Sequence, residues 1–150
     1  MHEDPILICY DGSDEARHAI AAAATLLGVR RAVVLDVGPM LTPAESIAVL
    51  APVSPAAAFE DVNLDDARTR AEAGSRLARQ AGFDAEPRAE VAAPTWEDIV
   101  DVATEIDAAV IVMGTRALTG ARDLFEGSVS HQVAEHAGRP VLIVPPAKAA

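Results

Sequence analysis

The sequence predicts an open parallel α/β sheet of Rossmann-like type, with helices on both faces, and three observations carry that prediction. First, Ile6–Tyr10 (ILICY), Ala32–Val37 (AVVLDV), Ala109–Met113 (AVIVM) and Val141–Val144 (VLIV) are near-continuous apolar runs. Such runs suit strands that are covered on both faces. Second, stretches with helical apolar spacing lie between them. Third, strict alternation of strands and helices implies right-handed crossovers and hence parallel strands.

Each element has its own signal. A fifth strand, Ala85–Val91 (AEPRAEV), is mixed in polarity, as an edge strand is. Ala16, Ala19, Ile20, Ala23, Ala24 and Leu27 follow the i, i+3, i+4, i+7 rule and mark a first helix. Leu64, Ala67, Ala71, Ala78 and Ala81 mark a second, with Gly82 as its C-terminal stop. A third starts with Thr95 as N-cap and Asp98 reaching back, and buries Ile99, Ala103 and Ile106. Phe125, Val129, Val133 and Ala137 form the inner stripe of a fourth, closed by Gly138 and Pro140. The order is βαβαβαβαβ. The segment from Pro39 to Phe59, with four prolines, interrupts the rhythm as a long loop, read either as a lid or contact surface or as a variable cover.

The totals limit the functions available. With 150 residues the chain fits one domain, and 51% apolar residues are enough for a core. A net charge of −11 argues against a nucleic-acid partner, which needs clustered Lys and Arg, and against an anionic membrane surface. One cysteine, Cys9, rules out an internal disulfide and suits a reducing cytosol. The start, MHEDP, lacks the basic residues of an export signal, and no apolar run approaches the ~20 residues of a membrane span. A cytoplasmic domain is expected.

In open α/β sheets ligands sit beyond the carboxyl ends of the strands, where strand order reverses. Two loops at such ends carry suitable chemistry: YDGSD after the first strand and GTRALTG after the fourth. Gly127-Ser128 lies near the start of the fourth helix, where free N–H groups and the helix dipole attract anions. Gly114 lets the chain turn out of the sheet, and the Ser128 hydroxyl can donate to a phosphate oxygen. Asp11 has two readings: a turn or cap residue in DGSD, or a ligand contact. Neither the P-loop spacing nor a G-x-G-x-x-G is present.

Cys9, inside an apolar strand, reads as a buried small hydrophobe without a base beside it. His131 and His136, five apart, do not form the i, i+4 pair of a metal face. No metal ligand set and no catalytic residue is assigned.

The register Gly114, Ala117, Gly127 and Ser128, together with VMGTR, GSVSHQVAEHA, RPVLIVP and ILICYDGSDEARHAI, resembles the universal stress proteins. Nucleotide-binding members carry G-x2-G-x9-G-[ST] after the fourth strand. The resemblance implies the strand order 3-2-1-4-5, a homodimer paired through the fifth strand and an unidentified protein partner. It also implies an adenine nucleotide, ATP or AMP with Mg, as ligand. Carried over residue by residue, it places Asp11 on the nucleoside and Val37 in the adenine pocket. Gly114 and Ala117 would approach ribose and phosphates, and Gly127, Ser128 and Val129 would donate to the phosphates. Arg116 and Arg122 flank the loop. Ala117 departs from the motif, which has its second glycine there. If that position needs positive φ, the added Cβ costs roughly 1 kcal/mol. The family is linked to stress response, and three functions remain open: a nucleotide-holding regulator, a member acting by protein contacts alone, and a slow ATP hydrolase.

Overall fold

The computed structural model describes residues 4–39, 56–92, 94–115 and 128–148. In chain order the elements are β1 (Ile6–Cys9), α1 (Asp14–Leu27), β2 (Arg31–Pro39), α2 (Ala56–Gln80), β3 (Asp84–Ala92), α3 (Thr95–Glu105), β4 (Ile111–Gly114), α4 (Val129–His136) and β5 (Val141–Val144). The five strands form one sheet in the order β3-β2-β1-β4-β5, and every pairing is parallel. The expected alternation and strand order are both met. Most of the segment between Pro39 and Phe59 lies outside the described residues.

Two apolar layers cover the sheet. Ile6, Ile8, Ala32, Val34 and Val112 face a cluster with Ala19, Ile20 and Ala23 of α1 and Ala78 of α2. Leu7, Val33, Leu35, Ile111 and Met113 face Ile99, Val102 and Ala103 of α3 and Val133 of α4. Period-2 alternation along doubly covered strands sends successive side chains into opposite layers. With aromatics at only 3%, the first layer relies on alanines that let the helices lie close. Gly74 shows how close, because a Cβ there would meet the Tyr10 ring at 2.6 Å.

Helix ends decide where the loops begin. Gly82, at φ +108°, terminates α2; its N–H bonds to the Arg79 carbonyl and Phe83 N–H reaches Ala78, the double closure of a Schellman motif. Two expectations at helix starts are corrected. Pro94, extended at φ −77° and ψ 148°, is the N-cap of α3, and no side chain caps it. The proline ring fixes φ at a value that suits this junction, which moves Thr95 one residue into the helix and leaves Asp98 unable to close a capping box. In α4 the inward face is Ser130, Val133 and Ala137, whereas Val129 is 39% exposed. Ser128 is the N-cap, so Val129 stands at the first helical position, outside the packed stripe. Phe125 lies outside the described residues.

Candidate functional site

β1 and β4 are neighbours in the sheet, and the connections leaving them run in opposite directions, from β1 to β2 on one side and from β4 to β5 on the other. A crevice opens at the carboxyl ends of those strands for that reason. It is a cavity of about 400 Å³, within the usual size range of small-molecule sites. Cys9, Leu35, Val37, Ile99 and Met113 give it an apolar wall, all drawn from the same layer of the core. Tyr10, Asp11 and Ser13 come from the exit of β1, Thr115 from the exit of β4, and Thr95 and Ser128–Ser130 from two helix starts.

The structure brings together Asp11, Val37, Gly114, Ser128 and Val129, five of the residues expected at a nucleotide site. Arg116, Ala117 and Gly127 lie outside the described residues, as do Gly120 and Arg122. Reasoning on sequence alone missed the wall residues Leu35, Ile99 and Met113, which look like ordinary core positions, and it also missed Thr95 and Thr115.

Three of the retained residues do more, or other, than expected. Asp11 is exposed, and its Oδ1 accepts the Ser13 N–H at 2.9 Å, which leaves Oδ2 without a hydrogen bond among the described residues. Ser13 then caps α1 by accepting the Ala16 N–H at 3.1 Å. The turn reading and the binding reading of Asp11 are therefore compatible. Ser128 Oγ accepts the His131 N–H at 3.2 Å and lies 3.2 Å from the hydroxyl of Ser130, which is buried. With His131 capped, Val129 and Ser130 remain as first-turn amides, which have no acceptor within their own helix.

Gly114 is needed for closeness. It is the last residue of β4 and is not among the positive-φ glycines, which corrects the expectation of a special turn there. A Cβ on it would lie 2.6 Å from the Glu15 carbonyl oxygen and 2.7 Å from its carbon. The glycine lets the first turn of α1 seat against the strand end, and that seating closes one side of the cavity.

The main chain of β2 adds a recognition edge. Asp84 N–H bonds to Arg30 O on the β3 side, and Tyr10 N–H bonds to Leu35 O at 2.9 Å on the β1 side. In a parallel strand alternate residues turn both polar groups to the same neighbour. Odd-numbered residues of β2 therefore face β1. β1 ends at Cys9 and β2 continues to Pro39, so the N–H and C=O of Val37 face the cavity with no strand among the described residues to pair them.

Electrostatically, the cavity meets the positive ends of α1, α3 and α4, since all three helices start at this side of the sheet. No Lys or Arg lines it among the described residues. Cys9 is half-buried rather than sealed in the core, which corrects the expectation, and its thiol is pushed up to about 12 by burial, then by Asp11 and Asp36. It is neutral and a poor nucleophile. Behind the wall, Asp36 of β2 is buried and held by Arg70 of α2, with Nε at 2.7 Å from Oδ2 and Nη2 at 3.1 Å from Oδ1. Burial raises the Asp36 pKa; Arg70 opposes that shift and Asp11 adds to it. The described residues hold no group of three His, Cys, Asp or Glu able to bind a metal ion. They also contain no helix long and apolar enough to cross a membrane.

Comparison with known proteins matches these features. A family model described as the universal stress protein family covers residues 3–145. A universal stress protein family member from Burkholderia pseudomallei is 27% identical, with 97% of each chain covered and a TM-score of 0.69. A universal stress protein from Archaeoglobus fulgidus, solved in complex with dAMP, is 25% identical, covering 96% of this chain and 99% of its own, with a TM-score of 0.64. A family protein from Arabidopsis thaliana with AMP bound shares the fold at 14% identity, with 95% and 92% covered and a TM-score of 0.68. Comparison with curated protein sequences gives no significant match. With residues 3–145 matched by the family model, nearly the whole length, the chain belongs to the universal stress protein family.

Proposed function

We propose that the cavity binds an adenine nucleotide, ATP or AMP, and that the chain, as one domain over residues 1–150, is a stress-response binding module. The observation that carries this reading is the Val37 main chain, a donor and an acceptor directed into an apolar cleft beyond the end of β1. Adenine offers an adjacent ring-nitrogen acceptor and amino donor, and its faces suit the wall of Cys9, Leu35, Ile99 and Met113. Asp11 Oδ2 accepts from ribose hydroxyls, and the amides of Val129 and Ser130 receive phosphate oxygens at the start of α4. By the family motif, Gly127 and the loop bearing Arg116 and Ala117 complete the phosphate end. The dAMP held by the Archaeoglobus relative supports the ligand class. Mg, implied by the family resemblance, would enter with the nucleotide; the described residues hold no group of three His, Cys, Asp or Glu to bind it.

Turnover is not part of the proposal. Among the described lining residues the candidate acid–base groups are Cys9, Tyr10 and Asp11, and Asp11 already spends one oxygen on its own turn. The homodimer expected through β5 is retained: its four residues Val-Leu-Ile-Val form a short apolar edge strand, the type that a second copy can extend. Light scattering of the purified chain tests it. A cytoplasmic location is likewise retained.

The decisive experiment denatures the purified protein and chromatographs the supernatant for adenine nucleotide, then titrates ATP or AMP with Mg while following Tm. At a hundredfold excess over Kd, binding adds ~2.7 kcal/mol, or roughly 5–11 °C for a chain of this size. No copurified nucleotide and no shift at millimolar ligand would refute the reading. That result would favour the member acting by protein contacts alone, for which Ala117 is the supporting feature. Phosphate release over hours would instead select the hydrolase.

A further inference from the structure

The Asp36–Arg70 pair sits between the two segments that present polar groups to the cavity. Beyond Leu35, β2 has no β1 neighbour, and β3 holds it along one edge only. Arg70 adds a hold from one face of the sheet: both oxygens of the buried Asp36 carboxylate are taken, in a two-point contact that fixes the plane of each group. Asp36 immediately precedes Val37, so fixing its side chain fixes the peptide that faces the cavity. The aliphatic stem of Arg70 also passes close to the Asp11 turn, near enough that a Cβ added at Gly12 would lie 3.6 Å from Arg70 Cδ. Gly12, at φ +84°, is the residue on which that turn pivots. The hydrogen bonds to Asp36, and the charges of Asp36, Asp66 and Asp11, all favour the protonated form of the guanidinium.

We propose that Arg70 is a positioning residue for nucleotide recognition: by gripping Asp36 while its stem lies alongside the Gly12 turn, it sets the spacing between the Val37 main chain and the Asp11 carboxylate. Arg70 does not line the cavity and touches no ligand itself. The inference rests on the adenine-nucleotide reading and deepens it, because base and ribose are then recognised by groups on separate segments that one side chain ties together.

The test compares the unaltered protein with two variants, D36L/R70M and R70K, by calorimetric titration of AMP and of 2′,3′-dideoxy-AMP. The double variant leaves no buried charge without a partner, and apolar replacement of such a pair is commonly tolerated by a fold. R70K keeps the charge but cannot make the two-point contact, and it decides the matter should the double variant fail to fold. The expected result is at least tenfold weaker AMP binding. The preference for AMP over the dideoxy analogue should also fall towards one, because Asp11 is no longer placed to meet the ribose hydroxyls. Unchanged affinity would overturn the proposal. So would an equal loss for both ligands with the preference intact, since that is what general loosening of the fold produces. Failure of the unaltered protein to bind AMP would overturn the nucleotide reading itself, and this inference with it.

Discussion

Replacing Gly114 with alanine separates packing from ligand approach as the reason for a glycine at this motif position. The new methyl would sit 2.6 Å from Glu15 O, 2.7 Å from Glu15 C and 3.1 Å from Ala16 N, against an ordinary contact of at least 3.4 Å. All three atoms are backbone of the first turn of α1, so no rotamer change relieves the clash. Strand end and helix must part by 0.8 Å at the tightest point, the difference between 3.4 and 2.6 Å. Overpacking of this kind costs about 1–3 kcal/mol. At roughly 2–4 °C per kcal/mol for a chain of this size, Tm should fall by about 2–12 °C. Differential scanning calorimetry without ligand reads that effect directly. The same displacement carries Ser13 and Ala16, which line the cavity, and AMP affinity should fall together with stability. A variant that melts within a degree of the unaltered protein would show that α1 does not seat against Gly114. If it also lost AMP binding, the glycine would be serving the ligand and the packing argument would be wrong.

Other perturbations test neighbouring parts of the structure. Asp11→Ala should weaken AMP binding by about 10- to 100-fold, while the loss of its exposed bond to Ser13 costs only about 0.5–1.5 kcal/mol in Tm measurements. Ser128→Ala removes the cap of α4 and should cost ~1 kcal/mol, visible as faster amide exchange at His131. Asp98→Asn should stabilise the protein at neutral pH. Asp98 Oδ2 is buried without a partner among the described residues, and burial, followed by the charge of Glu90, raises its pKa. A carboxyl whose pKa is higher in the folded chain than in the unfolded one penalises the fold once ionised, and the penalty fades as pH falls through the raised value. The Tm gain of Asp98→Asn should therefore be largest near pH 7 and shrink towards pH 4; a gain independent of pH would refute that account.

The sheet was legible because its strands are short apolar runs with helical patterns between them, and length and alternation leave few other arrangements. Helix starts were less legible. Thr95 stands one place inside its helix because Pro94 occupies the cap position, and Val129, next after the Ser128 cap, is 39% exposed rather than in the inner stripe where the pattern puts it. At the site, Asp11 and Ser128 could be read as polar residues at strand and helix ends, where the fold sends ligands. The apolar wall could not: Leu35, Ile99 and Met113 follow the same alternation as residues sealed in the core. What exposes them is that β1 stops four residues after it starts, whereas β2 runs for nine. That mismatch in length is a property of two strands together, and neither segment shows it alone.

Asp36 and Arg70 mark a second limit. They are 34 residues apart, on a strand and a helix, and each taken singly is an ordinary charged residue. Asp36 even sits inside the run AVVLDV, where the apolar pattern requires a buried side chain. A buried carboxylate demands a partner, because an isolated charge in an apolar layer costs far more than a fold of this size can offset. The sequence thus announces that some cation must reach Asp36 but does not say which of its 12 Lys and Arg residues does so. Packing selects Arg70. Ala67, Ala71 and Gly74 bring α2 close to the sheet, and Arg70 lies on the flank of that close-packed stripe. The small residues that look like mere helix formers are what bring the Arg70 guanidinium to Asp36 and its stem close to the Asp11 turn, so the composition of α2 helps to shape a site that α2 does not line among the described residues.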